Sequence, residues 1–127
     1  MTSAVLVEEL TEDQWRRYRD IRIAALESDG HAFGSSLEAE LRYSEAEWRS
    51  KALQYVGIIA SVASEDIGIM TVENLKGDFG ATSWIGSCWV HPDYRQHGAL
   101  RALFHFIDLQ ATERNWQKQG LGVWIDN

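Results

Sequence analysis

The sequence predicts a mixed α/β or α+β domain, in which helices flank a mixed, mostly antiparallel sheet. Two observations predict this class. Short apolar segments rich in β-branched residues alternate with segments whose apolar residues recur at helical spacing. Their order is strand, two helices, three strands, helix and strand, which is typical of a layered sheet-and-helix domain. The chain has 127 residues, the length of one domain, so we expect residues 1–127 to form a single domain.

The N-terminal segment predicts one strand followed by one helix. Residues 4–10 (AVLVEEL) are a short, β-prone run. Thr11 then begins T-E-D-Q, a capping-box pattern in which Thr and Gln side chains satisfy the first helical N–H groups. Trp15, Tyr18, Ile21 (or the aliphatic part of Arg22) and Ala25 follow at helical spacing and predict a helix ending near Glu27.

A second helix is predicted after a stretch without clear periodicity. Residues 31–43 are less regular in pattern. Ser44 then begins a second capping box, S-E-A-E, and this pattern predicts a helix through Trp48 to about Leu53.

Three strands of an antiparallel meander are predicted next. Residues 56–63 (VGIIASVA) and 67–74 (IGIMTVEN) are rich in β-branched residues, and residues 64–66 between them indicate a tight turn. Residues 75–80 read as a loop because they contain two glycines and two charged residues. Residues 82–90 (TSWIGSCWV) predict the third strand of the meander.

The C-terminal region predicts a strand–helix–strand unit. From Arg95 onward the apolar residues fall on one helical face, and they are Leu100, Leu103, Phe104, Ile107 and Ala111. Residues 115–120 end this helix, and residues 121–126 (LGVWID) predict a last strand. A right-handed crossover would make this strand a parallel neighbour of strand 82–90.

Composition excludes several classes of protein. The formal net charge is −7, which argues against nucleic-acid binding because phosphate neutralisation needs surplus Lys and Arg. The single cysteine, Cys88, excludes a disulfide framework and a thiolate zinc site. The first residues lack the pattern of a secretory signal, and no run approaches about 18 apolar residues. We therefore expect a cytoplasmic protein without a membrane segment.

The connection between strand 82–90 and the last long helix is the most informative segment. Residues 90–103 read V-H-P-D-Y-R-Q-H-G-A-L-R-A-L. A helix start exposes N–H groups without intrahelical partners, and its dipole adds partial positive charge, so a diphosphate fits there. Gly98 removes a Cβ where phosphates approach the backbone, and Arg95 and Arg101 can add charge-assisted hydrogen bonds. The alternative interpretation is a plain connection.

This segment resembles motif A of the GNAT superfamily of acyl-CoA-dependent N-acetyltransferases, V-x-P-x-[YF]-[RQ]-x-x-G-x-[GA]-x-x-L. The matching residues are Val90, Pro92, Tyr94, Arg95, Gly98 and Leu103. The resemblance extends to R-x-x-R-I-x-A-L-E, A-F-G-S-S and S-E-A-E-W upstream, and to L-G-V-W-I-D-N at the end. It implies a GNAT-like acyl-CoA N-acyltransferase fold that lacks the last helix and strands. We expect either a naturally short chain or a fragment of a longer domain.

The resemblance implies acetyl-CoA as cosubstrate and an amine as acceptor, without a metal. Pantetheine would lie between strands 82–90 and 121–126, and the diphosphate at the turn and helix start. The implied cofactor-binding residues are Trp89, Val90, Arg95, Gln96, His97, Gly98, Ala99, Leu100 and Arg101. Leu100 stands where the family usually has Gly or Ala, and Gln96 where it often has Gly. Leu100 is expected to narrow the site or shift the diphosphate.

The general base and acid of the implied reaction are harder to assign. Some members of the family place a carboxylate on the fourth strand, but residues 82–90 contain none. Glu73, near the end of the preceding strand, is the nearest candidate base, and its alternative interpretation is a solvated strand-end carboxylate. The family's acid is commonly a tyrosine on the helix after the fifth strand, and Asn127 stands where that helix would begin.

Two functions therefore stay open. The first is an N-acetyltransferase that acts on a primary amine of a small molecule or a protein. The second is a non-catalytic acyl-CoA-binding or regulatory module that keeps the turn but lacks acid and base. An exposed last strand favours pairing with a second chain, so a homodimer is a further expectation.

Overall fold

The fold is seen in a computed structural model, which describes residues 4–30, 36–73, 83–111, 113–114, 116 and 119–121. In this part of the chain, five strands form one sheet in the order β1-β2-β3-β4-β5. The elements along the chain are β1 (Val5–Glu9), α1 (Trp15–Asp29), α2 (Leu37–Leu41), α3 (Glu45–Gln54), β2 (Val56–Val62), β3 (Glu65–Glu73), β4 (Ser83–Val90), α4 (Ala99–Gln110) and β5 (Gln119–Leu121). Strands β1 to β4 are antiparallel and β5 is parallel to β4. The expected mixed, mostly antiparallel sheet with flanking helices is confirmed.

The two predicted capping boxes are present. The Thr11 N–H donates to Gln14 Oε1 at 2.8 Å, and this box begins a short 3₁₀ turn, Glu12–Gln14, that leads directly into α1. Ser44 Oγ accepts from the Glu47 N–H at 3.2 Å and begins α3. Helix α1 continues to Asp29, beyond the predicted end at Glu27. Helix propensity alone does not set this end, because tertiary packing extends helices past weak stop signals.

Helix α2 is an element that the sequence pattern did not predict. It lies within residues 31–43, of which residues 31–35 are outside the described part of the chain. Ser36 caps it by accepting from the Ala39 N–H at 3.1 Å. The helix has 5 residues, too short a run for helical periodicity to be recognised.

The turn of the central hairpin was predicted one position too late. Strands β2 and β3 are joined by Ala63 and Ser64, with φ values of 51° and 69°. Two-residue hairpin loops favour positive φ because the resulting twist matches that of the strands. Glu65 and Asp66 already belong to β3, where they pair with Val62 and Ser61. Ala and Ser lack the Asn-Gly or Gly signature that normally reveals such a turn.

The last crossover pairs β4 and β5 in parallel, as expected from the strand–helix–strand pattern. The register runs from Ser83 opposite Gln119 to Ile85 opposite Leu121. Strand β5 thus begins before the predicted residue 121, within the segment predicted to be irregular, and residues 122–127 lie outside the described part. Helix α4 begins at Ala99, later than Arg95, because a 3₁₀ turn at Pro92–Tyr94 precedes it.

The sheet carries helices on both faces. Successive strand residues point to opposite faces, so Ile58 and Met70 pack on the side of α4 while Ile59 and Ile69 pack on the side of α1 and α3. The residues predicted for the apolar face of the first helix are confirmed as buried, and they are Trp15, Tyr18, Ile21 and Ala25. None of the described helices combines the length and apolar character needed to cross a membrane.

Candidate functional site

Strand β4 contains a β-bulge at its centre. Trp89 pairs with Ile69 and Gly86 pairs with Thr71, so Ser87 and Cys88 together lie opposite the single residue Met70. Ser87 has a φ of 49°, in the left-handed region that non-glycine residues rarely adopt. A bulge leaves its extra residue outside the hydrogen-bond ladder. Among the described residues, the pairing with β5 ends at Ile85, and neither Ser87 nor Cys88 is paired with a residue of β3 or β5.

The bulge is also where the strand becomes accessible. Residues 86–88 are partly exposed, whereas the flanking Ile85 and Trp89 are 6% and 5% exposed. Burial raises the pKa of the Cys88 thiol, so Cys88 is a poor nucleophile at neutral pH. The centre of β4 therefore offers backbone groups, and not a reactive side chain, to a ligand.

A buried ion pair holds the side chain of the bulge residue. Arg22 of α1 donates from Nη1 to Ser87 Oγ at 2.7 Å. The same guanidinium donates from Nε and Nη2 to the two carboxylate oxygens of Glu40, each at 2.9 Å. The Arg22 and Glu40 side chains are 12% and 3% exposed. Sequence reasoning did not identify these residues, because their contacts join α1, α2 and β4 across long separations.

The connection from β4 to α4 is tied to the start of β3. The His91 N–H donates to the Ile67 carbonyl at 2.7 Å, and the Tyr94 hydroxyl donates to Glu65 Oε2 at 3.2 Å. The Glu65 carboxylate raises the pKa of Tyr94. Tyr94 also packs against the apolar cluster under α4. These contacts fix the place at which the chain enters the turn.

Two residues of this turn have positive φ, Gln96 at 65° and Gly98 at 87°. Gly98 is the N-cap of α4, so no side chain caps this helix and its first N–H groups lack a side-chain acceptor. A Cβ placed on Gly98 would meet nothing within 4 Å. The helix start is therefore both open above the backbone and rich in free donors, a combination that suits an anion such as a diphosphate.

The remaining predicted residues of the turn surround this helix start. His97 and Arg101 are exposed, Ala99 is buried, and Leu100 is 44% exposed. The Leu100 side chain thus reaches solvent on the first turn of α4 and is not part of the core. Arg101 adds a positive charge to the same turn, which has no acidic residue.

Arg95 and Trp89 are brought together by Asp29, which lies just beyond the predicted end of the first helix at Glu27. Asp29 Oδ2 accepts from Trp89 Nε1 at 2.8 Å and from Arg95 Nη2 at 2.8 Å. Arg95 Nε also donates to the Val90 carbonyl at 2.9 Å. Hydrogen bonds from Ser28, Trp89 and Arg95 lower the pKa of Asp29. Arg95 therefore anchors the turn to the end of α1, with its remaining donors on the exposed side.

Comparison with solved structures identifies the fold. An aminoglycoside acetyltransferase from an uncultured soil metagenomic sample has a TM-score of 0.77 and 16% identity, covering 96% of this chain and 81% of that one. Aminoglycoside N-acetyltransferase AAC(6')-Iy in complex with CoA has a TM-score of 0.74 and 14% identity, covering 100% and 82%. A ribosomal-protein-alanine N-acetyltransferase from Brucella melitensis biovar Abortus has a TM-score of 0.66 and 20% identity, covering 96% and 82%. The chain has the GNAT fold. No protein-family model and no curated protein sequence matches it.

Within this GNAT fold, Glu73 lies away from the turn. It pairs with Trp84 at the end of β3, whereas Gly68, near the start of β3, pairs with Val90. Glu73 Oε2 accepts a hydrogen bond from Gln54 Nε2 at 3.1 Å. It is half-buried at the strand end, and its assignment as a base stays a prediction.

Proposed function

We propose that the chain is an acetyl-CoA-dependent N-acetyltransferase, which transfers an acetyl group to a primary amine of a small molecule or a protein. One observation carries the proposal: the uncapped start of α4, open above Gly98, directly follows the bulged strand β4. The open helix start and the bulge residues Ser87 and Cys88, which are unpaired among the described residues, thus lie on one stretch of chain. A molecule with a diphosphate at one end and an amide-rich arm at the other has matching chemistry.

The turn residues would bind the diphosphate end of acetyl-CoA. The backbone N–H groups of Ala99, Leu100 and Arg101 are the donors left free by the helix start. The Arg101 guanidinium and the outer donors of Arg95 add positive charge. Glycine at position 98 leaves the space that a Cβ would occupy. Gln96, His97, Trp89 and Val90 complete the proposed cofactor-binding set.

The proposed reaction is direct acyl transfer. The amine nitrogen forms a bond to the thioester carbonyl carbon, the carbon–sulfur bond breaks, and the thiolate leaves with its electron pair. The proton on nitrogen passes to a base, and the thiolate takes up a proton. We assign stabilisation of the carbonyl oxygen to the unpaired backbone of the bulge at Ser87 and Cys88, since fixed N–H donors are strong oxyanion stabilisers. Glu73 is the proposed base.

The acceptor is proposed as a primary amine. The net charge of −7 favours a cationic acceptor over an acidic one. The similar structures include acetyltransferases named for aminoglycosides and for a ribosomal protein, so both a small molecule and a protein amine are consistent with the fold. We further propose that the protein is cytoplasmic and that it pairs as a homodimer, which light scattering of the purified chain would test.

A second candidate function is a non-catalytic acyl-CoA-binding module. It is favoured by the absence of a carboxylate from residues 82–90. Glu73, the candidate base, is held by Gln54 at the strand end and is not part of β4. This alternative predicts that acetyl-CoA binds without being consumed.

Calorimetric titration with acetyl-CoA tests the proposal. Saturable binding is expected for the wild type, and Arg101→Gln should weaken it about three- to tenfold because one charge-assisted contact is lost. Arg42→Gln is the matched control, since Arg42 is exposed on α2 and pairs with Glu38. Gly98→Val should abolish binding, because its φ of 87° is unfavourable for a β-branched residue. No binding by a folded wild type would refute the proposal.

Thiol release then separates the two candidates. Acetyl-CoA is incubated with a panel of primary amines, including an aminoglycoside and an N-terminal alanine peptide, and free CoA is measured. Amine-dependent release of CoA supports the transferase. Tight binding without release for every amine supports the module.

A further inference from the structure

The Arg22 guanidinium connects three separate elements at the bulge. Its Nη1 donates to Ser87 Oγ on β4 at 2.7 Å, and its other two donors form a bidentate pair with Glu40 on α2. Arg22 itself lies on α1. A planar guanidinium held by two parallel hydrogen bonds has one orientation, so Glu40 fixes the direction in which Nη1 points.

The conformation of Ser87 needs such support. A non-glycine residue in the left-handed region is strained, and it persists only where the surroundings fix it. Ser87 has a φ of 49° and lies in a strand whose neighbours are extended. The hydrogen bond from Arg22 acts on this residue's own side chain. It therefore favours the bulged register over one in which β4 pairs continuously with β3.

A buried ion pair is an inefficient way to gain stability. Removing both charges from water costs about as much as their attraction returns, so an apolar pair of the same size would stabilise α1 against α2 equally well. Arg22 and Glu40 are nearly inaccessible, at 12% and 3% side-chain exposure. A role in orientation explains their presence better than a role in stability.

We infer that Arg22, oriented by Glu40, is a positioning residue that sets the β4 bulge through Ser87. The inference rests on the proposed function, in which the bulge backbone faces the reacting carbonyl. Arg22 then acts without touching the substrate. Because a displacement of about 1 Å in a site can reduce a rate about 100-fold, a shift of the bulge should appear in turnover before it appears in binding.

Ser87→Ala is the decisive variant, because it removes one hydroxyl and leaves the Arg22–Glu40 pair intact. We expect kcat to fall at least about tenfold while the Kd for acetyl-CoA stays within about twofold of the wild type. Amide hydrogen exchange at residues 87 and 88 should become slower, because continuous pairing with β3 would protect amides that the bulge leaves outside the ladder. Glu40→Gln keeps the size of the side chain and loses its charge, and it should change kcat and amide exchange in the same direction as Ser87→Ala. Ser61→Ala is the matched control, since Ser61 is 8% exposed on β2 and outside the bulge.

The readouts separate failure of the inference from failure of the proposed function. A wild-type kcat and unchanged amide exchange in Ser87→Ala would overturn the positioning role, as would a uniform loss of stability that Ser61→Ala reproduces. If the wild type releases no thiol with any amine, the proposed function fails. Amide exchange then decides alone: slower exchange confined to residues 86–88 supports control of the bulge by Arg22, and unchanged or faster exchange overturns it.

Discussion

Replacing Asp29 by alanine should disconnect the end of α1 from the turn before α4. In the wild type, one carboxylate oxygen of Asp29 accepts from Ser28 Oγ at 2.7 Å, and from Trp89 Nε1 and Arg95 Nη2 at 2.8 Å each. Trp89 is 5% exposed, so its indole N–H would lose its acceptor in a dry environment. Leaving such a donor unpaired costs about 1–3 kcal/mol. Arg95 is 47% exposed and would regain water, so its ion pair adds only about 0.2–1 kcal/mol.

The sum predicts that Asp29→Ala lowers the free energy of unfolding by about 2 kcal/mol at pH 7. Urea denaturation followed by circular dichroism measures this difference. Asp29→Asn keeps an acceptor for Trp89 and should lose about half as much. Asp20→Ala is the control, because Asp20 pairs with Arg19 at the surface, with side-chain exposures of 68% and 37%. It should change the free energy by less than about 1 kcal/mol.

The pH dependence of this difference has a definite sign. The pKa of Asp29 is lowered in the folded protein from its ordinary value of 3.8 by the hydrogen bonds from Ser28, Trp89 and Arg95. A lowered folded pKa contributes stability above pH 3.8 that is lost as the pH falls through the folded value. The difference between wild type and Asp29→Ala should therefore be largest near neutrality and shrink in acid. A difference below about 0.5 kcal/mol at pH 7, or one that grows on acidification, would refute this reasoning.

Three further changes test the core and the turn. Leu103→Ala, at a fully buried position of α4, should lower the free energy of unfolding by about 2–5 kcal/mol. Leu109→Ala, at a position 65% exposed on the same helix, should change it by less than about 0.5 kcal/mol. Equal effects of the two substitutions in thermal unfolding would contradict the placement of α4. Gly98→Ala should lower the free energy of unfolding by about 1–2 kcal/mol because the φ of residue 98 is 87°, although the added Cβ has room. An unchanged free energy of unfolding would mean that the turn relaxes. Gln96→Gly, where φ is 65°, should relieve strain and raise the melting temperature slightly, with a decrease as the contrary outcome.

Features that depend on neighbours along the chain were predictable from the sequence. The capping boxes at Thr11 and Ser44, the buried face of α1 and the parallel placement of the last strand all follow from local patterns, and each is confirmed. The open helix start at Gly98 was also indicated by its glycine and by the preceding strand. These signals are local because capping and helical periodicity involve residues at most a few positions apart.

Features that depend on partners far along the chain were not predictable. The bulge at Ser87 is defined by how β4 pairs with β3, and no residue of β4 indicates it in the sequence. The Arg22–Ser87 contact joins residues 65 positions apart, and the contacts of Asp29 with Trp89 and Arg95 span 60 and 66 positions. A hydrophobic pattern encodes which face is buried but not which polar groups meet there. The polar framework of the site therefore appears only once the sheet is assembled.

The two-sided burial of the central hairpin has a consequence for which sequence changes the fold can accept. Residues 57–61 of β2 and 67–72 of β3 are buried without interruption, so their side chains are enclosed on both faces of the sheet. Substitutions among Val, Ile and Met should therefore be tolerated there, while the loss of a single residue from the Ala63–Ser64 turn should not. Such a deletion would shift β3 against β2, so that Gly68 would no longer lie opposite Ala60. In this hairpin, the length of the turn is constrained more strongly than the choice of apolar side chains in the two strands.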